Sequence, residues 1–226
     1  MPPEDEFWHE LKNWNDSYVD VAETFRQKRK IVRDLASMKE EIEMLMKVAD
    51  SNLVLVFDPR GVVESANTPI SARPKKLDGL RLAILDNSKW NANKILRTST
   101  AALEKSLKFA KVNYYVKGSF SKDAAPELIT EIAANNDLVL TAIGDCGSCC
   151  SCCIRDSVAL EKLGIPAAAI ITTEFERETE LTRTAIGMQG LIPVVIDHPV
   201  SSITQSEVES RAAQVALQAP KVWLGR

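Results

Sequence analysis

A chain of 226 residues is long enough for one large domain, or for one domain with an appendage. Apolar residues make up 45% of it and charged residues 26%, a globular balance that excludes intrinsic disorder and collagen-like structure. With 28 basic against 31 acidic side chains and a net charge of −3, the chain lacks the basic excess of a nucleic-acid-binding protein.

Residues 1–50 are predicted to form a helical appendage. Apolar residues recur at helical spacing from Phe7 to Phe25, and a second apolar stripe runs from Ile31 to Met46. Such a stripe must cover the main domain or another subunit, so we expect a homo- or hetero-oligomer interface here. The acidic start lacks the features of a signal peptide, and no run of about 18 apolar residues follows. We therefore expect a cytoplasmic protein with no membrane partner.

Residues 51–226 alternate short apolar segments with amphipathic ones, which predicts an α/β domain. Buried strands separated by single helices indicate a doubly wound, mostly parallel, Rossmann-like sheet with helices on both faces. The predicted strands cover residues 53–57, 80–85, 111–116, 138–142, 167–172 and 193–197. The predicted helices cover residues 91–108, 125–134, 149–163, 178–188 and 204–218. The last helix begins with the capping-box pattern Thr204-Gln-Ser-Glu207, and the polar segment 59–78 is predicted to be a long connection or flap.

Polar residues follow several of the predicted strands, at the sheet edge where ligands of such folds bind. Asp86, Asn87 and Lys89 follow one strand and are candidates for binding a substrate carboxylate or amide, although Asp and Asn are also common turn formers. Glu174 follows another strand as a weaker candidate. His198 follows the last strand and is a candidate acid or base for a thiol or a leaving group; the alternative is a histidine that only satisfies local hydrogen bonds.

All five cysteines lie in one segment of eight residues, Cys146 to Cys153. Disulfides confined to so short a segment would barely constrain the unfolded chain, which indicates a chemical or metal-binding role. Cys146 and Cys149 lie at a predicted strand-to-helix junction, where free N–H groups and the helix dipole stabilise a thiolate. A Cys-x-x-Cys pair there suits attack by one sulfur and resolution by the other, with Asp145 and Ser148 beside it.

Two alternatives to thiol chemistry remain open. The cluster of Cys146, Cys149, Cys150, Cys152 and Cys153 could instead bind a soft transition metal such as iron, cobalt, copper or zinc, as in a metal-thiolate hydratase or lyase. A closed structural zinc site is disfavoured, since the only histidines are His9 and His198. The cysteines could also be small apolar side chains packed within a helix. Phosphate-binding glycine motifs are absent from the sequence.

Four stretches of the sequence resemble the UGSC family of proteins and selenoproteins, which is named for a Sec-Gly-Ser-Cys motif. They are Asp137-Leu-Val-Leu-Thr-Ala-Ile-Gly-Asp-Cys-Gly-Ser-Cys149, Leu160-Glu-Lys-Leu-Gly-Ile-Pro166, Leu85-Asp-Asn-Ser-Lys-Trp-Asn-Ala92 and Asp197-His-Pro-Val200. Cys146 occupies the selenocysteine position. The same cysteine segment is more distantly similar to selenoprotein B of glycine and D-proline reductases, whose motif aligns with Cys146, Cys149 and Cys152.

The resemblance implies a nucleophilic or redox role for Cys146, although Cys150 and Cys153 depart from the family's motif. We therefore expect an enzyme of reductase or lyase type, in which Cys146 attacks a carbon bonded to a heteroatom, Cys149 resolves the adduct and a thiol serves as reductant. His198 would be the acid or base. The expected contacts to a small-molecule substrate are Asp86, Asn87, Lys89, Asp145, Ser148 and Glu174. A non-catalytic metal- or partner-binding subunit is a third interpretation.

Overall fold

The computed structural model describes residues 35, 38–40, 42–43 and 65–226. The chain divides into two compact units, Met1–Gly61 and Val62–Arg226. The described residues of the first unit are helical with exposed side chains, at positions that the sequence predicts to be helix. The predicted strand at 53–57 and most of the predicted appendage lie outside the described residues. In the described part of the chain, no helix has both the length and the hydropathy to cross a membrane.

Within residues 65–226, five parallel strands form one sheet in the order β2-β1-β3-β4-β5. The strands are β1 (Arg81–Asp86), β2 (Lys111–Val116), β3 (Leu138–Gly144), β4 (Ala167–Thr172) and β5 (Val194–Ile196). This is the flavodoxin-like order of a doubly wound sheet, so the predicted fold class is confirmed. The direction of winding reverses between β1 and β3, and ligands of such sheets bind beside the carboxyl ends of these two strands.

Helices cover both faces of the sheet. They are α1 (Ala92–Leu103), α2 (Pro126–Asn135), α3 (Gly147–Lys162), α4 (Glu176–Ile186) and α5 (Gln205–Leu224). Alternate strand residues supply two separate cores: Leu82 and Ile84 pack with residues of α1 and α5, whereas Ala83 and Leu85 pack with residues of α2 and α3. This two-residue alternation is why the buried strands read as continuous apolar runs in the sequence.

The last helix is longer than predicted, because α5 continues through Pro220 to Leu224. Trp223 is completely buried, and its indole N–H donates to the Val139 carbonyl over 2.9 Å. This anchoring on the sheet offsets the cost of a proline inside the helix. At the other end, Thr204 and Glu207 form the predicted capping box.

The described part of the predicted flap is held against the main domain. The Glu161 carboxylate accepts hydrogen bonds from the Ser71 N–H over 2.8 Å, from the Arg73 guanidinium over 2.8 Å and from the Ala167 N–H over 2.7 Å. Glu161 is 2% exposed and lies at the end of α3. One buried carboxylate thus joins the connection, α3 and β4, and residues 71–73 serve as a structural strap.

Candidate functional site

The segment that carries Cys146 begins where β3 ends. A Cβ atom on Gly144 would lie 2.9 Å from Cγ2 of Ile171 and 3.0 Å from Cα of Cys150, so only glycine fits without a shift. This close approach sets α3 directly against β3 and β4. It also places Asp145 and Cys146 at the carboxyl edge of the sheet, beside the end of β1.

Cys146 is the N-cap of α3, and its neighbour in the motif bonds to it. The Cys149 N–H donates to Sγ of Cys146 over 3.3 Å, and the Cys149 thiol donates to the Cys146 carbonyl over 3.3 Å. The Asp145 N–H donates in turn to Sγ of Cys149 over 3.2 Å. Cys146 is half-buried, whereas Cys149 is completely buried. The pair therefore has one accessible sulfur and one inaccessible sulfur.

The same contacts move the two thiol pKa values in opposite directions. Partial burial disfavours the Cys146 thiolate, but hydrogen bonds from Cys149 and Ser148 and the charge of Lys89 outweigh it, so the pKa of Cys146 is lowered from 9.0. Burial, together with the hydrogen bond to Cys146, raises the pKa of Cys149 to about 12. Of the two thiols, Cys146 is thus the one that ionises at the lower pH.

His198 is joined to the cysteine segment through Asp145. Its Nδ1 lies 2.9 Å from Oδ1 of Asp145 and 3.1 Å from Oγ1 of Thr172, while the Ser201 hydroxyl donates to the other Asp145 oxygen over 3.0 Å. The Asp145 contact is a close approach rather than an aligned hydrogen bond, because this buried Oδ1 has no hydrogen-bond partner among the described residues. A carboxylate so close to Nδ1 favours the tautomer protonated there and leaves Nε2 as an acceptor.

Asn87, a predicted substrate contact, forms its hydrogen bonds within the protein. It is completely buried; its side-chain amide donates to the Ile143 carbonyl over 3.0 Å, and its side-chain oxygen accepts from the Lys89 N–H over 3.2 Å. Its own N–H donates to the Ala142 carbonyl over 3.0 Å. Asn87 therefore fastens the loop after β1 to the carboxyl end of β3.

Asp86 also forms hydrogen bonds within the protein. Its carboxylate accepts from the Ser88 N–H and from the Tyr114 hydroxyl, both over 2.8 Å. The first contact forms a local turn of the kind that aspartate favours after a strand. Asp86 nevertheless lines a cavity at this edge, so its carboxylate combines a turn-forming role with access to a ligand.

The remaining predicted substrate contacts, Ser148, Lys89 and Glu174, differ in their position relative to Cys146. The exposed Ser148 has its hydroxyl 3.7 Å from Sγ of Cys146. Lys89 is half-buried, with its ammonium 4.8 Å from the centre of the Phe120 ring, and its charge acts on Cys146. Glu174 is exposed on the short 3₁₀ turn that follows β4. Ser148 and Lys89 are thus placed to act on Cys146.

Cys150 and Cys153 are part of the core rather than of the edge. Sγ of Cys150 lies 3.1 Å from Oγ1 of Thr179 on α4, and Sγ of Cys153 lies 3.8 Å from Oγ1 of Thr141 on β3. Burial raises the pKa of Cys150 to about 11 and raises that of Cys153 as well. These two thiols stay protonated and pack as small apolar side chains where α3 meets the sheet and α4.

In the described part of the chain, the thiol of Cys152 forms a hydrogen bond with neither α4 nor β3. Cys152 accepts a hydrogen bond from the Arg155 guanidinium over 3.3 Å, one turn further along α3. Among the residues that the structure describes, no group of three or more His, Cys, Asp or Glu side chains is arranged to hold a metal ion. The helical rotation between successive cysteines is the reason, because it places Cys150 against α4, Cys153 against β3 and the buried Cys152 beside Arg155.

One buried ion pair near the site was not predicted from the sequence. The Lys117 ammonium pairs with the Asp156 carboxylate and donates to the Lys122 carbonyl over 2.8 Å, although both charged side chains are almost fully buried. The other Asp156 oxygen accepts from the Ala124 N–H over 2.8 Å. The pair ties the loop after β2 to α3, and its partners are 39 residues apart.

Comparisons with known proteins give two partial likenesses. Phosphoserine aminotransferase of Janthinobacterium sp. (strain Marseille) is 24% identical over 104 residues, which make up 46% of this chain and 26% of that protein. The match thus spans about a quarter of the relative's length. The flavodoxin-like domain of a Synechococcus sp. protein aligns with 60% of this chain and 93% of its own, at 8% identity and a TM-score of 0.34.

The family comparison covers most of the chain. The sequence pattern of the UGSC family matches residues 55–225, a range that includes the whole sheet, the cysteine segment and His198. The resemblance carried by the four motifs is therefore confirmed, whereas the more distant link to selenoprotein B is not confirmed. The chain belongs to the UGSC family.

Proposed function

We propose that the protein is a thiol-dependent enzyme that cleaves a bond between carbon and a heteroatom in a small molecule. One observation carries the proposal: the half-exposed Cys146 thiol, with a lowered pKa, accepts a hydrogen bond from the backbone N–H of Cys149, whose own thiol is completely buried and has a raised pKa. Thiolate nucleophiles are activated in this way, by a helix N-terminus and by positive charge. Cys146 is the nucleophile and Cys149 is the resolving thiol.

The reaction balances as two substitutions. In the first, Sγ of Cys146 forms a bond to the substrate carbon while the carbon–heteroatom bond breaks, and the leaving group departs with a proton. In the second, Sγ of Cys149 loses its proton and attacks Sγ of Cys146; the carbon–sulfur bond breaks, and the carbon takes its electron pair and a proton. A small dithiol then reduces the resulting disulfide, so the dithiol is oxidised and the substrate is reduced.

In this proposal, Nε2 of His198 first accepts a proton and then gives it to the leaving group. The contact of its Nδ1 with Asp145 orients the ring, and Nε2 then exchanges protons with the substrate. Asp145 also donates its N–H to Cys149, so one residue positions both the resolving sulfur and the acid. Lys89 and Ser148 support the thiolate from the open side.

The metal-thiolate alternative receives less support from the geometry, because the thiols of α3 face different surroundings. All five cysteines are free thiols. Free thiols in a reactive site fit a reducing compartment, and this supports a cytoplasmic location.

Alkylation tests the proposed nucleophile. The protein is treated with a limiting amount of iodoacetamide at pH 7, and peptide mass spectrometry locates the adducts. We expect labelling at Cys146 alone, lost in Cys146→Ser and retained in the matched control Cys152→Ser. Uniform labelling of the five thiols, or no labelling, would rule out the proposal. Elemental analysis of the same protein checks the alternative: stoichiometric metal that is lost in Cys146→Ser would favour a metal site.

A further inference from the structure

A cavity of about 560 Å³ opens at the carboxyl ends of β1 and β2 and the start of α1. Three cationic side chains line it, Lys89, Lys94 and Arg97, against one carboxylate, Asp86. The chain as a whole carries a net charge of −3. The cavity is therefore a locally positive surface on an acidic protein, which is the pattern that concentrates an anionic ligand.

Within the described residues, the three cationic side chains of this cavity have no carboxylate partner. The Arg97 guanidinium instead lies over the Tyr114 ring, 4.4 Å from its centre, and Asp86 is occupied by the Tyr114 hydroxyl. Stacking fixes the guanidinium and leaves its N–H donors for a planar or tetrahedral anion.

The start of α1 adds to the positive potential. Asn91 is the N-cap, but its side chain forms no cap and donates instead to the carbonyls of Val200 and Ser201, over 2.8 and 3.3 Å. The first turn carries no acidic residue. The free N–H groups and the dipole of α1 thus act together with the three cations at one end of the cavity.

The cavity is connected to the reactive thiol through Lys89. This side chain lines the cavity, and its charge also acts on Cys146. Asn87 holds the loop before Lys89 against the carboxyl end of β3 through its bonds to Ala142 and Ile143. The loop that carries Lys89 is therefore fastened next to the start of the segment that carries Cys146.

We propose that this cavity binds the anionic group, a carboxylate or a phosphate, of the substrate on which Cys146 acts. Lys94 and Arg97 hold the anion, Lys89 bridges to the reacting carbon, and the exposed ring of Trp90 forms the outer wall. This inference rests on the proposed function, and it narrows the substrate class to small organic anions.

The test compares two maleimides of similar size, 3-maleimidopropionate and the neutral N-ethylmaleimide. Each adds to a thiolate by forming a carbon–sulfur bond while the neighbouring carbon takes a proton from water. Rates of labelling at Cys146 are measured at low ionic strength, and 2-mercaptoethanol gives the reference ratio. We expect the ratio of anionic to neutral reagent to exceed the reference by about threefold or more. It should fall towards the reference in Lys94→Gln/Arg97→Gln and stay high in Lys105→Ala, an exposed lysine outside the cavity.

Competition on the unaltered protein provides a second readout that does not depend on the variants folding. Inorganic phosphate and propionate are added at matched ionic strength. Slowing of the anionic reagent alone supports the site, and the more effective competitor shows whether phosphate or carboxylate is preferred. A ratio equal to the reference, together with no competition by either anion, overturns the anion site while leaving Cys146 as the nucleophile. If N-ethylmaleimide does not label Cys146 in preference to the other cysteines, both the proposed nucleophile and the proposed anion site are contradicted.

Discussion

The N–H of Cys149 donates to Sγ of Cys146 over 3.3 Å, while Cys149 itself is completely buried. The two sulfurs of this Cys-x-x-Cys motif are therefore not equivalent. One is an accessible acceptor at the start of a helix, and the other is a buried donor. This asymmetry is the reason for proposing Cys146 as the nucleophile and Cys149 as the resolving thiol.

Removal of the buried thiol should make Cys146 less acidic. In Cys149→Ala the backbone N–H that donates to Sγ of Cys146 remains, but the neighbouring thiol that helps to lower the pKa of Cys146 is lost, so this pKa rises. The thiolate is the reactive form, and its fraction grows as pH rises through the pKa; the alkylation midpoint therefore moves to higher pH. The measurement is the rate of iodoacetamide labelling at Cys146 across pH 6–10. Cys152→Ser is the matched control, and an unchanged midpoint in Cys149→Ala would contradict a contribution of the Cys149 thiol to the acidity of Cys146.

The contact between Asp145 and His198 should be visible in the tautomer of the imidazole. We expect neutral His198 to carry its proton on Nδ1, beside the carboxylate at 2.9 Å. Asp145→Asn removes that charge and shifts the population away from this tautomer. Long-range proton–nitrogen NMR correlations of the ring report the populations. Asp123→Asn, which removes the charge of an exposed carboxylate paired with Arg155, is the matched control and should leave the His198 tautomer unchanged. A His198 spectrum that is the same in both proteins would exclude the contact.

The close approach at Gly144 predicts a stability loss at this position. In Gly144→Ala the new Cβ meets Ile171 at 2.9 Å and the Cys150 backbone at 3.0 Å. Overpacking of this kind lowers the free energy of unfolding by about 1–3 kcal/mol. Gly118→Ala is the control, because nothing lies within 4 Å of a Cβ there. Urea denaturation measures both, and equal stabilities for the two variants would count against the packing.

The buried ion pair of Lys117 and Asp156 predicts a larger loss of stability when it is broken. Lys117→Met leaves the Asp156 carboxylate without its counter-charge in the interior, at a cost of about 3–5 kcal/mol. The exposed pair of Arg155 and Asp123, with side chains 44% and 53% exposed, gives a contrast. Arg155→Ala should cost about 0–1 kcal/mol. Thermal and urea unfolding provide the comparison, and a Lys117→Met protein as stable as Arg155→Ala would contradict the burial of the pair.

The strands and the main helices were predictable because their signals are local. The apolar runs of β2 and β4 predict their bounds to the residue, and the capping box at Thr204 predicts the start of α5. The start of α3 was predicted two residues late, at 149 rather than 147. Its N-cap is the sulfur of Cys146, which is not among the usual capping side chains.

The candidate site was only partly predictable, since its contacts join distant segments. The sequence places Cys146, Asp145 and His198 at one sheet edge, but the contact from Asp145 to His198 depends on the register of β3, β4 and β5. The sequence also shows the five cysteines as one cluster. In the structure the helical rotation of α3 assigns Cys150 and Cys153 to the core, so they require no chemical role.

The central claim is that Cys146 is the reactive thiol of the chain, and its alkylation profile tests this most directly. Labelling of all five cysteines of the unaltered protein is followed by mass spectrometry from pH 6 to pH 10. We predict a midpoint below 9.0 for Cys146, whereas Cys149, Cys150, Cys152 and Cys153 stay unlabelled until higher pH, because burial raises their pKa values. Labelling of any of these four before Cys146, or a midpoint for Cys146 at or above 9.0, would contradict the account.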